Sequence, residues 1–157
     1  MDKDEKRTKV HVSFDEGGGE SVWARAIEGD LFAIKNLPFF AFGLNFDDVV
    51  RAPMEGELRE VRAVIRRSGH RTLRVLFHAH VTTDEQVVQL NALKALGGSY
   101  ERGTDRLVAI DVPPGAAYEA MVALLTKLET DDELVFETCE ARNAEGFDDI
   151  AERDVAA

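Results

Sequence analysis

The chain is poor in the residues and motifs that usually announce a reaction. Among its 157 residues there is one cysteine, Cys139, so no intramolecular disulfide can form. A lone thiol in a strand is expected to be a small apolar filler. The four histidines are scattered and share no zinc-ligand spacing with the single thiol, so no metal and no cofactor is expected. Gly-x-Gly-x-x-Gly, a phosphate-binding loop, and a serine or cysteine in a nucleophile elbow are all missing. No apolar run approaches the ~18 residues of a membrane-crossing helix, which argues against insertion in a bilayer. Met1 to Lys9 is a charged run with no apolar stretch behind it, unlike a secretory signal, and cytoplasmic residence is the expectation.

Basic charge is scarce too. Nineteen Lys and Arg stand against 30 Asp and Glu, a net charge of −11. Such a balance repels phosphate backbones, whose binding rests on lysine and arginine, so nucleic acid is not an expected partner. The acidic charge either keeps the chain soluble or attracts a basic protein. Oligomeric state is left open.

The pattern that is present divides the chain. Lys9 to Phe14 alternates Val10, Val12 and Phe14 with polar residues, the period of a half-buried strand. Ser21 to Glu28 sets Val22, Ala24 and Ala26 opposite Trp23, Arg25 and Ile27, and Gly29-Asp30 turns into Leu31 to Lys35. Asp48 to Pro53 and Glu57 to Arg67 read as two further strands. Five short strands predict a small β-barrel-like domain over residues 9–71, because closure removes exposed edges.

Residues 72–141 change period. Thr72 to His80 reads as a strand, and Thr83 to Leu96 as a helix opened by the capping box Thr83-Asp84-Glu85-Gln86, with Val87, Leu90 and Leu93 on its apolar face. Ser99 to Arg102 and Arg106 to Val112 form a hairpin. Pro113-Pro114-Gly115 precedes a second helix carrying Ala117, Met121, Leu124 and Leu128 on one face, and Glu133 to Ala141 is a last strand. This β-α-β-β-α-β order predicts a ferredoxin-like half with both helices on one side of the sheet. The fold class is therefore α+β: a β-barrel-like half packed on a ferredoxin-like half. A charged, flexible N-terminus over residues 1–8 and an acidic tail over residues 142–157, mobile or a short docked helix, complete the chain.

Four segments carry a family resemblance: Val22-Trp23-Ala24, Asn36-Leu37-Pro38-Phe39-Phe40-Ala41-Phe42-Gly43, Asp48-Val49-Val50-Arg51-Ala52, and Ser68-Gly69-His70 with the strand after it. In this order they resemble a bacterial family of small cytosolic proteins known only as a domain of unknown function, over about Val10 to Leu134. Asp47 stands where that family pattern leads one to expect glycine. The resemblance implies shared architecture and no activity.

Three groups are candidate binding residues. Ser68-Gly69-His70 offers a hydroxyl and an imidazole around a glycine free to adopt positive φ, or else a bend with His70 bonded to backbone. His78 and His80 share a face of a strand expected to be central and to run parallel to the one carrying Asp111, with the start of the last strand, Glu133 to Glu137, on its other side, so that imidazoles and carboxylates converge at one sheet edge. Phe39 and Phe40, with Trp23, Phe42 and Phe46, are either barrel core or an exposed binding surface. As core, Phe39 or Phe40 replaced by alanine costs about 3 to 5 kcal/mol. The functional expectation is a non-catalytic binding or regulatory protein, an acidic partner or immunity-type protein for a basic macromolecule. The alternative is a small-molecule sensor or small enzyme built on the histidines and carboxylates.

Overall fold

The computed structural model describes residues 7–14 and 17–141. The expected acidic tail over residues 142–157 lies outside the described residues, as does the N-terminal run before Arg7. The fold is mixed α+β, with two helices and three sheets whose ladders are antiparallel. The described residues form two compact units, one of residues up to His70 with residues 140–141, the other Arg71–Cys139.

In the first unit, β1 (Arg7–Ser13), β2 (Gly19–Glu28), β3 (Leu31–Ile34), β4 (Val49–Arg51) and β7 (Ala63–Arg66) make one sheet in the order β1-β2-β3-β4-β7. A small hairpin, β5 (Met54–Glu55) and β6 (Leu58–Arg59), interrupts what reads in sequence as one strand from Glu57 to Arg67. The Arg62 guanidinium, hydrogen-bonded to Glu55 beside this hairpin, holds that carboxyl below its ordinary value. Alternation buries Val10, Val12, Val22, Ala24, Ile34 and Val50 on one face.

The expected barrel does not form among the described residues. Val61 N–H reaches His11 O on β1 at 2.9 Å, but the next donor, Arg62 N–H, turns to Arg51 O on β4 at 2.8 Å. The β1 side therefore gains a single parallel bridge, His11 to Glu60, in place of a closing ladder. The sheet is open.

The second unit follows the expected element order: β8 (Arg71–Phe77), α1 (Thr83–Ala95), β9 (Ser99–Arg102), β10 (Leu107–Val112), α2 (Tyr118–Thr130) and β11 (Leu134–Glu137), with strand order β11-β8-β10-β9. Leu73, Val75 and Phe77 of β8 and Val108, Ile110 and Val112 of β10 share one core with Leu90 and Leu93 of α1 and Met121, Leu125 and Leu128 of α2. Both helices thus cover the same sheet face.

Helix phases differ in detail from the sequence pattern. The capping box of α1 is Thr82 with Glu85, one residue before the expected start. Burial then falls at i, i+4 and i+7 on Gln86, Leu90 and Leu93, and Val87 is exposed. Gln86 is tolerated inside because its Oε1 accepts from Arg102 Nη1 at 2.8 Å. At the far end Gly97 has φ +106, and a Cβ there would lie 2.9 Å from the Ala116 Cβ, so glycine is required twice over. In α2 the buried side chains are Met121, Leu125 and Leu128, with Ala117 outside as an N-cap lacking a side-chain bond.

Two substitutions test this packing by urea denaturation. Leu125→Ala, at a fully buried position, is expected to cost 2–5 kcal/mol. Thr82→Ala, which removes the side-chain acceptor of the capping box and leaves the bond from the residue's own backbone N–H to Glu85, is expected to cost about 1 kcal/mol.

Candidate functional site

The Ser68-Gly69-His70 segment is built around the buried carboxylate of Asp48, which is 0% exposed. Asp48 Oδ1 accepts from Ser68 N–H at 2.9 Å, and Oδ2 accepts from Asn45 N–H at 2.9 Å and from Arg67 Nη1 at 3.1 Å. The Arg67 guanidinium also donates to Gly43 O. Ser68 Oγ donates to Phe46 O at 2.6 Å and accepts from His70 N–H at 3.1 Å. Gly69 carries φ +93, the conformation its lack of a side chain permits, and the His70 ring tilts against Phe46 at 5.4 Å between centroids. The serine's proton is thus committed to a backbone carbonyl and its lone pair to a backbone amide. This is the hydrogen bonding of a fastened bend, and it offers no activated nucleophile.

The histidines meet a different carboxylate from the one expected. β8 ends at Phe77, so His78 and His80 lie beyond it and strand alternation no longer governs them. Their rings stack at 6.1 Å. His80 Nε2 donates to Asp132 O at 2.7 Å, and His78 Nε2 lies 3.5 Å from Asp132 Oδ1. Asp132 has φ +61 in the turn from α2 to β11, and His78 N–H donates to Glu133 O at 2.9 Å. The start of the last strand is therefore beside the histidines, as the topology implies.

Asp111 is not. β10 runs antiparallel to β8, and Asp111 pairs with Thr72, six residues from His78, about 20 Å at the usual strand rise. The parallel expectation overlooked the β9–β10 hairpin, which reverses direction before β10 inserts beside β8. Asp111 is buried where it sits. Among the described residues no group of three His, Cys, Asp or Glu side chains is placed to hold a metal ion.

The aromatic turn is held by Glu20, at the start of β2. Its carboxylate accepts from three successive backbone amides: Phe39 at 2.5 Å, Phe40 at 3.1 Å and Ala41 at 2.9 Å. Three amides converging in this way form a concave anion nest. Leu37, Pro38 and Ala41 are buried, Phe39 is half-buried, and Phe40 is 60% exposed. Trp23 is 44% exposed. The reading of Trp23 and Phe40 as core is thereby corrected: Phe32 is the buried ring of this unit, and the aromatic turn is stapled through its backbone.

Glu20, Asp48 and Asp132 were not singled out from the sequence. Asp48 opens the segment Asp48-Val49-Val50-Arg51-Ala52 that carries part of the family resemblance, but its role depends on partners up to 20 residues away. Nothing local marks Glu20 as the acceptor for a turn 19 residues on.

Asp48→Ala is expected to destabilise by about 3–5 kcal/mol, because Arg67 and two amides lose their buried acceptor. Phe40→Ala is expected to change stability by less than about 0.5 kcal/mol. Denaturant midpoints of both variants measure the contrast.

A solved structure described as a novel crystal structure of a hypothetical protein from Neisseria gonorrhoeae has the same fold, with a TM-score of 0.69 over 88% of this chain and 96% of that one. Its sequence is 19% identical. No curated protein matches. No described helix is long and apolar enough to cross a membrane. Residues 20–136 match a family described as a domain of unknown function, DUF4265. With most of its length inside that match, the chain belongs to the DUF4265 family.

Proposed function

We propose that the chain is a non-catalytic, cytoplasmic binding protein whose acidic surface takes a basic protein partner, in the manner of an immunity or regulatory protein. The observation that carries this reading is the consumption of the candidate reactive groups by internal structure. Ser68 is spent on Phe46 O and His70 N–H, and Asp111 sits at the opposite end of β8 from the histidines. Charge supports the choice of partner. Residues 71–157 hold eight Lys and Arg against 17 Asp and Glu, a net of −9 out of −11. Asp131, Asp132 and Glu133 enter β11 beside His78, and Asp84 and Glu85 open α1 just after His80. A basic protein is steered to such an end by complementary potential. The second unit is read in the same spirit as a ferredoxin-like arrangement, from its order β11-β8-β10-β9 and its helices on one face.

The sensor or enzyme alternative draws on the stacked His78 and His80 with Asp132. Capture on the immobilised full chain is expected to retain a protein of high pI that elutes as salt rises, and Asp131→Lys with Asp132→Lys is expected to abolish retention. Retention of acidic proteins only, or turnover of an ester, amide or phosphate substrate that His78→Ala abolishes, overturns the reading. His80→Ala alone is expected to lower stability by about 0.5–1.5 kcal/mol, the value of its hydrogen bond to Asp132 O.

A further inference from the structure

The sheet of the second unit has two faces, and the helices take only one of them. Leu73, Val75 and Phe77 of β8, Val108, Ile110 and Val112 of β10 and Leu134 of β11 point into the core beneath α1 and α2. Alternation sends the intervening residues to the other face, where a solvated antiparallel sheet is expected to be polar. Thr72, Arg74, Ala109 and Asp111 are buried there, so what this face exposes is its end nearest Phe77. At that end Leu76 pairs on one side with Val135 and on the other with Leu107. Leu76 is 41% exposed, Val135 is 43% exposed, and Leu107 is half-buried.

Single exposed aliphatic side chains are ordinary on a surface, but three side by side on neighbouring strands form a contiguous row, and apolar ground rimmed by charge marks an interaction site. The rim here is acidic. Two residues beyond the row, about 7 Å at the usual rise, the three strands give Glu133, His78 and Asp105. Pairing continues that far, with His78 N–H donating to Glu133 O and Phe77 N–H to Arg106 O, both at 2.9 Å. Asp105 is exposed, Glu133 is half-buried, and the Asp132 carboxylate, 89% exposed, has its Oδ1 3.5 Å from His78 Nε2. The cations at this end are Arg106, at the alternate position to Leu107, and Lys127, bound to Asp131 at 2.9 Å.

We propose that the row Val135, Leu76 and Leu107 is the apolar seat of a basic amphipathic helix of the protein partner, whose lysines or arginines meet Asp105, Asp132 and Glu133. This rests on the proposed binding of a basic protein and names the element that docks. Spacing selects a helix: adjacent strands set the three side chains about 4.8 Å apart, near the ~5.4 Å between helical turns, whereas an extended segment repeats on one face only every ~6.8 Å. Charge selects the sign, since lysine stems lie along apolar ground while their ammonium heads reach carboxylates at its margin. A second copy of this chain brings a like-charged end against this one, and an anionic lipid surface is repelled by the same carboxylates.

The probe is a fluorescein-labelled peptide of leucine and lysine, about 14 residues long with its leucines at i, i+3, i+4 and i+7, titrated with the full chain and followed by anisotropy. Leu76→Ser with Val135→Ser is expected to weaken binding about tenfold or more, because the centre of an interface carries most of its energy. Val87→Ser with Val88→Ser, which removes an exposed aliphatic pair from α1 across the sheet, is expected to leave binding unchanged. Asp105→Lys is expected to weaken it and to flatten its dependence on salt. Circular dichroism melts verify folding, and should the first double variant unfold, Leu76→Thr alone, which keeps a strand-forming residue, reads the same contact. Unchanged binding in the first double variant, equal loss in both, or equally tight binding of a peptide with glutamate for lysine overturns the proposal. So does a dimer in sedimentation, or capture on phosphatidylcholine vesicles, that Leu76→Ser with Val135→Ser abolishes. A basic protein lost from the Asp131→Lys, Asp132→Lys chain but kept by the Leu76→Ser, Val135→Ser chain leaves the acidic reading standing and overturns the apolar seat. If no basic protein is retained at all, that reading fails, while selective loss of the peptide in the first double variant still supports the seat.

Discussion

The buried carboxylate of Asp48 is the constraint on which the first unit depends. A side chain with no solvent exposure and a formal charge is costly inside a protein unless every lone pair is used. Here the carboxylate is surrounded by two backbone amides and a guanidinium drawn from the two ends of the β4 and β7 region. Its own backbone carbonyl meanwhile accepts from Ile34 N–H, extending the pairing with β3 one residue ahead of β4. One residue thus fixes the loop before β4, the exit of β7 and the bend at Gly69 together. The segment most suggestive of a nucleophile, Ser68-Gly69-His70, is placed by this carboxylate and owes its serine geometry to it.

What could be read in the sequence was whatever depends on local period. The alternation of Val10, Val12, Val22 and Ala24 gave the buried face of β1 and β2, and the run of elements from Arg71 to Glu137 follows the apolar spacing closely. What could not be read depends on direction and distance. Barrel closure turns on whether Arg62 N–H bonds to β1 or to β4, a choice between two acceptors that no residue pattern encodes. Asp111 was displaced from the histidines by a hairpin that was itself correctly recognised, because order along the chain does not specify which way an inserted strand points. The helix phase was off by one residue because two threonines in succession, Thr82 and Thr83, compete for the cap.

The candidate site was less legible than the fold. His78 and His80 were noticed, but their partner Asp132 sits in a turn with positive φ, where a short polar side chain is tolerated and the carbonyl is turned toward the imidazole.

The carboxylate of Glu20 acts toward the turn at Phe39, Phe40 and Ala41 as a ligand that never leaves. Because it is tethered through the same chain, its effective concentration at the three amides is fixed by the fold and does not depend on any solute. The turn is therefore ordered before any encounter, and the entropy of arranging it has been spent during folding. Phe40, the most exposed large apolar side chain of the aromatic turn, is consequently presented from a rigid backbone, and a surface that meets it has only the ring's own two torsions left to restrain.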